Sequence, residues 1–100
     1  MNRVVVRYQT KPESGDENQR FVEQVFEELA EKDPGGVRYA TLRLADGVSF
    51  VHIAFIEGDD NPLGETAAFQ EFQKDLLDRC DEPPSPQEAT LVGSYRMFAD

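Results

Sequence analysis

The sequence predicts one α+β domain spanning residues 1–100, with two helices on one face of a four-stranded antiparallel sheet, in the order β-α-β-β-α-β. Three observations carry this. Residues 37–44 (VRYATLRL) and 48–56 (VSFVHIAFI) are apolar, β-branched runs joined through Asp46-Gly47, and Asp-Gly between such runs is a strong hairpin signal. Two further stretches repeat apolar residues at helical spacing: Phe21, Val22, Val25, Phe26 and Leu29, then Phe69, Phe72, Leu76 and Cys80. Residues 3–10 (RVVVRYQT) and 88–98 (EATLVGSYRMF) read as the first and last strands, the three consecutive valines of the first suggesting burial on both faces.

In order, the first strand ends at Lys11-Pro12-Glu13, because proline cannot continue a ladder. Ser14 with Glu17 three residues on fits a capping box, with Asp16 as a rival cap, and the helix runs to about Lys32. Pro34-Gly35-Gly36 stops it. After the hairpin, Asn61-Pro62 offers an N-cap and first turn for a second helix over roughly residues 64–79. Residues 81–86 (DEPPSP) read as a stiff connector, and Gly93 marks a bulge or close approach in the last strand. This order is the ferredoxin-like split-βαβ arrangement.

A two-residue type I′ turn at Asp46-Gly47 pairs Ala45 with Val48, Arg43 with Phe50, Thr41 with His52, Tyr39 with Ala54 and Val37 with Ile56. One hairpin face is then mixed, and the other (Ala40, Leu42, Leu44, Val51, Ile53 and Phe55, with Arg38 and Ser49 at its ends) is almost wholly apolar. A sheet with one wet face shows a cleaner polar side than this, so both faces are expected to be covered. Helices cover one. The economical cover for the other is a second copy, which predicts a homodimer through the sheet face.

Twenty acidic against ten basic residues give a net charge of −10. That field repels phosphate backbones and anionic bilayers, and the basic residues are scattered, so neither nucleic acid nor membrane is an expected partner. No apolar run approaches a membrane span, and the first ten residues lack a signal-peptide core, so the expected location is cytoplasmic. The single cysteine, Cys80, has no partner for an internal disulfide; it reads as a small apolar residue near a helix end. There is no phosphate loop, Ser-His-Asp set or metal-ligand spacing, so no cofactor and no metal is expected.

Three side chains could carry chemistry. His52, the only histidine, sits mid-strand opposite Thr41; it reads either as a general base for a phenol or quinol or as a core histidine bonded to Thr41 or a partner subunit. Tyr39 shares its face and either orients a small aromatic ligand or packs its ring. Arg7, among the valines of the first strand, is expected to be buried, facing a bound anion or a structural carboxylate. Tyr95 and Arg96 are expected on opposite faces of the last strand, lining the cavity or, by preference, the dimer seam.

Lys11-Pro12-Glu13, Asp33-Pro34-Gly35-Gly36-Val37-Arg38-Tyr39, Thr66-Ala67-Ala68-Phe69-Gln70-Glu71-Phe72 and Val92-Gly93-Ser94-Tyr95 together resemble the antibiotic biosynthesis monooxygenase-like family of the dimeric α/β-barrel superfamily, over nearly the whole chain. The resemblance implies a homodimer whose sheets close a barrel, with a small-molecule cavity in each subunit. It also implies oxidation of quinols or aromatic polyketides by oxygen without a cofactor, or, in other members, haem degradation. The chain departs from the family at Leu63, where members often carry histidine, and in having no tryptophan. The first strand also lacks the asparagine of haem-degrading relatives, which points away from haem. Two functional readings follow. One is a cofactor-independent monooxygenase acting on a small aromatic or quinol, with His52 as base, Tyr39 positioning the substrate and Arg7 stabilising anionic charge. The alternative is a non-catalytic homodimeric module for small-ligand binding or interaction.

Overall fold

The computed structural model describes residues 1–97. Its elements are β1 (Asn2–Thr10), α1 (Gly15–Lys32), β2 (Val37–Arg43), β3 (Ser49–Ile56), α2 (Ala67–Lys74), α3 (Leu76–Arg79) and β4 (Cys80–Glu88), with a 3-10 turn at Pro12–Ser14 before α1. The sheet is antiparallel in the order β2-β3-β1-β4, with the helices on one face. None of the described helices is long and apolar enough to cross a membrane.

The hairpin keeps the expected register: Arg43 faces Phe50, Thr41 faces His52, Tyr39 faces Ala54 and Val37 faces Ile56. Its turn differs from the expectation. The Leu44 N–H donates to Ser49 O at 2.9 Å and Gly47 N–H to Leu44 O at 3.0 Å, so the loop holds four residues, and only Gly47 has positive φ (79°). Asp46 acts through its side chain instead, accepting from the Val48 and Ser49 amides and from the Ser49 hydroxyl. Those hydrogen bonds hold its carboxyl below the usual carboxylate range.

The helix starts also differ. Ser14 makes no side-chain cap, and a proline-initiated 3-10 turn leads into α1 instead. At its other end Asp33 adopts the left-handed conformation and returns its N–H to Leu29 O. The second helix begins at Ala67 rather than near Gly64. Thr66 caps it by accepting from Phe69 N, while Glu28 of α1 accepts from the Ala67 and Ala68 amides, tying the two helices together.

The last strand is the main correction. The proline-rich stretch expected to be a connector is β4, and the stretch expected to be a strand is not one: beyond Glu88, residues 89–97 form no strand, and Phe98 lies outside the described residues. An edge strand tolerates proline because one side of it needs no N–H donors. Register shifts between Arg7 and Gln9 set Pro83 and Pro84 against Tyr8, a bulge that absorbs them. Leu91, Val92, Tyr95 and Met97 are exposed.

Tyr8, Val22, Val25, Phe50, Leu63, Phe72 and Leu76 form the core between sheet and helices. Leu63, at the position noted for histidine in the family, is 4 % exposed and packs there as an apolar residue. The mixed hairpin face lies under the helices. The apolar one, with Leu42 41 % exposed, is open in the single chain.

Candidate functional site

His52 lies in the centre of the core at 5 % exposure, inside a box of rings. Tyr8 stacks on it with centroids 5.3 Å apart, Phe72 lies at 5.4 Å and Tyr39 at 5.7 Å. These neighbours follow from strand parity. Val6 of β1 and Thr41 of β2 both face His52 across the ladders, and Tyr8 and Tyr39 sit two residues further along the same face.

Both imidazole nitrogens are engaged. The Tyr8 hydroxyl lies 2.8 Å from Nε2; the Tyr39 hydroxyl hydrogen-bonds Nδ1, with Thr41 Oγ1 3.1 Å from the same atom. Burial pushes the His52 pKa down to about 4, so the ring is neutral near pH 7 and has no nitrogen free to take a further proton. Burial also raises both phenols: Tyr39 to about 12, against an opposing hydrogen bond from Thr41, and Tyr8 further, although Asn18 and Arg79 pull it down. The cluster is therefore a neutral network at physiological pH. Its hydroxyls serve as hydrogen-bonding groups rather than as charges.

The network continues inward. Asn18 Nδ2 donates to the Tyr8 oxygen at 2.8 Å, Arg79 Nε donates to Asn18 Oδ1 at 3.2 Å, and Arg79 Nη2 donates to Phe72 O at 2.7 Å. Tyr8, Asn18 and Arg79 were not singled out by the sequence, yet a signal was present. Asn18 lies four residues before Val22 on the apolar stripe of α1, and Arg79 lies seven residues after Phe72 on that of the second helical stretch. Polar side chains on an apolar stripe are buried, and buried polar groups need partners.

Tyr39 connects this network to the surface. A hollow of about 330 Å³ between α1 and β2 is lined by Phe26, Leu29, Ala30, Val37 and Tyr39 together with the Asp33-Pro34-Gly35 turn. Phe26 stacks on the Tyr39 ring, centroids 4.9 Å apart, and also walls a second hollow of about 280 Å³ bordered by Val22, Thr41, Arg43 and Phe50. The first volume falls at the low end of the range that holds small ligands, and its walls are part apolar and part polar.

Of the three residues expected at a site, the structure brings Tyr39 and His52 together and not Arg7. Arg7 pairs with Val51, on the sheet face away from His52, and is exposed rather than buried. Three consecutive valines hide the alternation of β1, and it is Tyr8 that points inward. Cys80 is half-buried where α3 meets β4, with its thiol pKa raised by burial. Among the described residues no group of three or more His, Cys, Asp or Glu is placed to hold a metal ion.

No protein-family model and no curated protein sequence matches the chain. Solved structures do. A protein of Nitrosomonas europaea described as an antibiotic biosynthesis monooxygenase superposes with a TM-score of 0.76 at 19% identity, covering 93% of this chain and 100% of that one. One of the same description from Caulobacter crescentus gives 0.71 at 18% identity, covering 92% and 90%. SnoaB, a cofactor-independent oxygenase from Streptomyces nogalater, gives 0.66 at 20% identity, covering 93% and 94%. The chain therefore has the fold of the antibiotic biosynthesis monooxygenases.

Proposed function

We propose that the chain binds a small, flat aromatic molecule in the hollow beside Tyr39 and oxygenates it without a cofactor. The observation that carries this is the union of two features at one residue. Tyr39 lines a partly apolar hollow of ligand size, and its hydroxyl is held by a buried hydrogen-bond network. Phe26 supplies a stacking wall, and Leu29 and Val37 add apolar side chains to the lining. The oxygenase half of the reading is supported by the fold shared with proteins described as monooxygenases, one of them as cofactor-independent.

In such a reaction an electron-rich aromatic bearing a ring CH₂ reacts with O₂ to give the C=O product and water. The substrate loses two hydrogens and supplies all four electrons; one oxygen atom enters the product and the other leaves as water. The protein's part is to hold the ring, keep bulk water from the reacting carbon, and hydrogen-bond the substrate oxygen on which negative charge develops. Tyr39 is suited to that contact and His52 to positioning it. A basic role for His52 is not part of this reading, since its lone pair is already committed. Arg7, across the sheet, has no part in it either.

We further propose that two copies close through the open sheet face. The apolar patch of Val5, Ala40, Leu42, Val51, Ile53 and Phe55 supports this, as does Arg3 Nε, which on that side is shielded from water without a hydrogen-bond partner.

The test is oxygen uptake with anthrone, whose ring CH₂ can undergo this reaction, corrected for autoxidation, together with binding of 1,4-naphthohydroquinone, which has no ring CH₂, as a second probe of the hollow. The reading expects saturable uptake by the protein that falls at least about ten-fold in Tyr39→Phe, an interaction of roughly 1.4 kcal/mol. Saturable binding with no uptake above the blank would replace catalysis by a ligand-binding module; no binding of either probe would remove the site.

A further inference from the structure

Arg79 is a buried guanidinium, 4 % exposed, and no carboxylate among the described residues lies within ion-pair distance. Phe21 and Phe72 flank it, with ring centroids 4.6 and 5.6 Å from its central carbon, and it gives hydrogen bonds to Asn18 and Phe72 O. An uncompensated buried cation is costly, and one retained at the end of a hydrogen-bonded chain fixes that chain's direction.

The direction follows from counting donors. Arginine has only donors, so the Asn18 atom facing it is the carbonyl oxygen, and the amide nitrogen faces Tyr8. The Tyr8 oxygen thus accepts from Asn18. Its own proton has one acceptor in reach, His52 Nε2 at 2.8 Å, and the alternative would strand a hydroxyl proton in a residue 2 % exposed. With Nε2 accepting, the imidazole proton resides on Nδ1, where it is given to the Tyr39 oxygen, with Thr41 Oγ1 alongside at 3.1 Å. Tyr39 is then an acceptor toward His52, and its own proton has only the Thr41 hydroxyl, itself a rotatable donor, to compete with a group brought into the hollow.

We propose that Arg79, Asn18 and Tyr8 are positioning residues that make Tyr39 a hydrogen-bond donor toward the bound molecule, so that the hollow selects a flat ring bearing a carbonyl or other acceptor oxygen over the same ring without one. The ligand half of this rests on the site proposed above; the direction of the chain does not.

Because His52 is the only histidine, long-range ¹H–¹⁵N correlation spectra of the full chain near pH 7 report its tautomer without ambiguity. The wild type is expected to carry the proton on Nδ1. Asn18→Asp, nearly isosteric and able to pair with Arg79, can only accept. It draws the Tyr8 proton inward, turns Nε2 into the donor and moves the histidine proton off Nδ1. A wild-type proton on Nε2, or an unchanged tautomer in folded Asn18→Asp, overturns the chain. In parallel, wild type is expected to bind 1,4-naphthoquinone roughly ten-fold more tightly than naphthalene, with the preference reduced in Asn18→Asp. Equal affinities with the expected tautomers overturn the selectivity alone. Binding of neither probe, with the tautomers as expected, overturns the site and leaves the directed chain standing.

Discussion

Tyr8 and His52 stand on neighbouring strands with rings stacked 5.3 Å apart and hydroxyl and Nε2 separated by 2.8 Å, so the centre of this core is a hydrogen bond rather than a purely apolar contact. Around it the sheet, α1 and α3 converge, since Asn18 of α1 donates to the same hydroxyl and Arg79 of α3 donates to Asn18 from behind.

Removing that hydroxyl tests its contribution. Tyr8→Phe keeps the stacking on Phe50 and His52 but leaves Nε2 and the Asn18 amide without a partner. Each buried group so stranded costs about 1–3 kcal/mol. Urea unfolding is expected to show a loss in that range or somewhat above it; a loss under 0.5 kcal/mol, on the order of an exposed substitution, would mean that the network is not closed.

His52 sets an acid limb in stability. Its pKa is about 4 in the folded chain against 6.5 for an ordinary histidine, so between those values the unfolded chain binds the extra proton and the folded chain does not. Stability is full above pH 6.5 and is lost as pH falls toward 4, by about 3 kcal/mol in total. Glu28 and Asp46, both with lowered pKa values, add their losses only as pH drops through the carboxylate range. The fall between pH 6.5 and 5 should therefore vanish in folded His52→Gln, as followed by denaturation at half-unit intervals.

Gly15 is fixed by contact. A Cβ there would stand 2.6 Å from Gly47 O and 2.7 Å from Arg43 Nη2, where α1 meets the hairpin turn. Alanine would gain about 0.5–1 kcal/mol of helix propensity, but overpacking against a backbone oxygen costs about 1–3 kcal/mol. Gly15→Ala is expected to lower the melting temperature. A raised melting temperature would show that the turn moves aside freely.

The open face gives a fourth expectation. Sedimentation at micromolar concentration should report a particle of twice the 11.3 kDa chain mass, and Ile53→Lys, in the middle of that face, should return it to one chain with its far-UV spectrum intact. A wild-type particle of one chain mass would remove the dimer.

The element order and the hairpin register were legible because Val37–Arg43 and Ser49–Ile56 are β-branched, apolar-rich runs flanking Asp46-Gly47, and any even loop closing at Leu44 and Ser49 gives the same pairs. The turn type was not, since a dipeptide cannot reveal that Asp46 would spend its carboxylate on three donors. The final strand was misplaced because proline was weighed as a ladder breaker without regard to the edge position and bulge that accommodate it. At the site, Tyr39 and His52 were legible from hairpin parity. Arg7 was expected to be buried because Val4-Val5-Val6 carries no alternation to tell one face from the other, whereas Tyr8 and the polar residues interrupting two apolar stripes mark the side under the helices.

The proposed function requires a ligand in the hollow where Tyr39 meets Phe26. The most direct measurement is titration of the isotope-labelled chain with 1,4-naphthoquinone, following the ring and methyl signals of Phe26, Leu29, Val37 and Tyr39. Saturable shifts confined to those residues are the expected result. Shifts confined to the open-face residues Leu42, Ile53 and Phe55, or none at all from a folded chain, would contradict it.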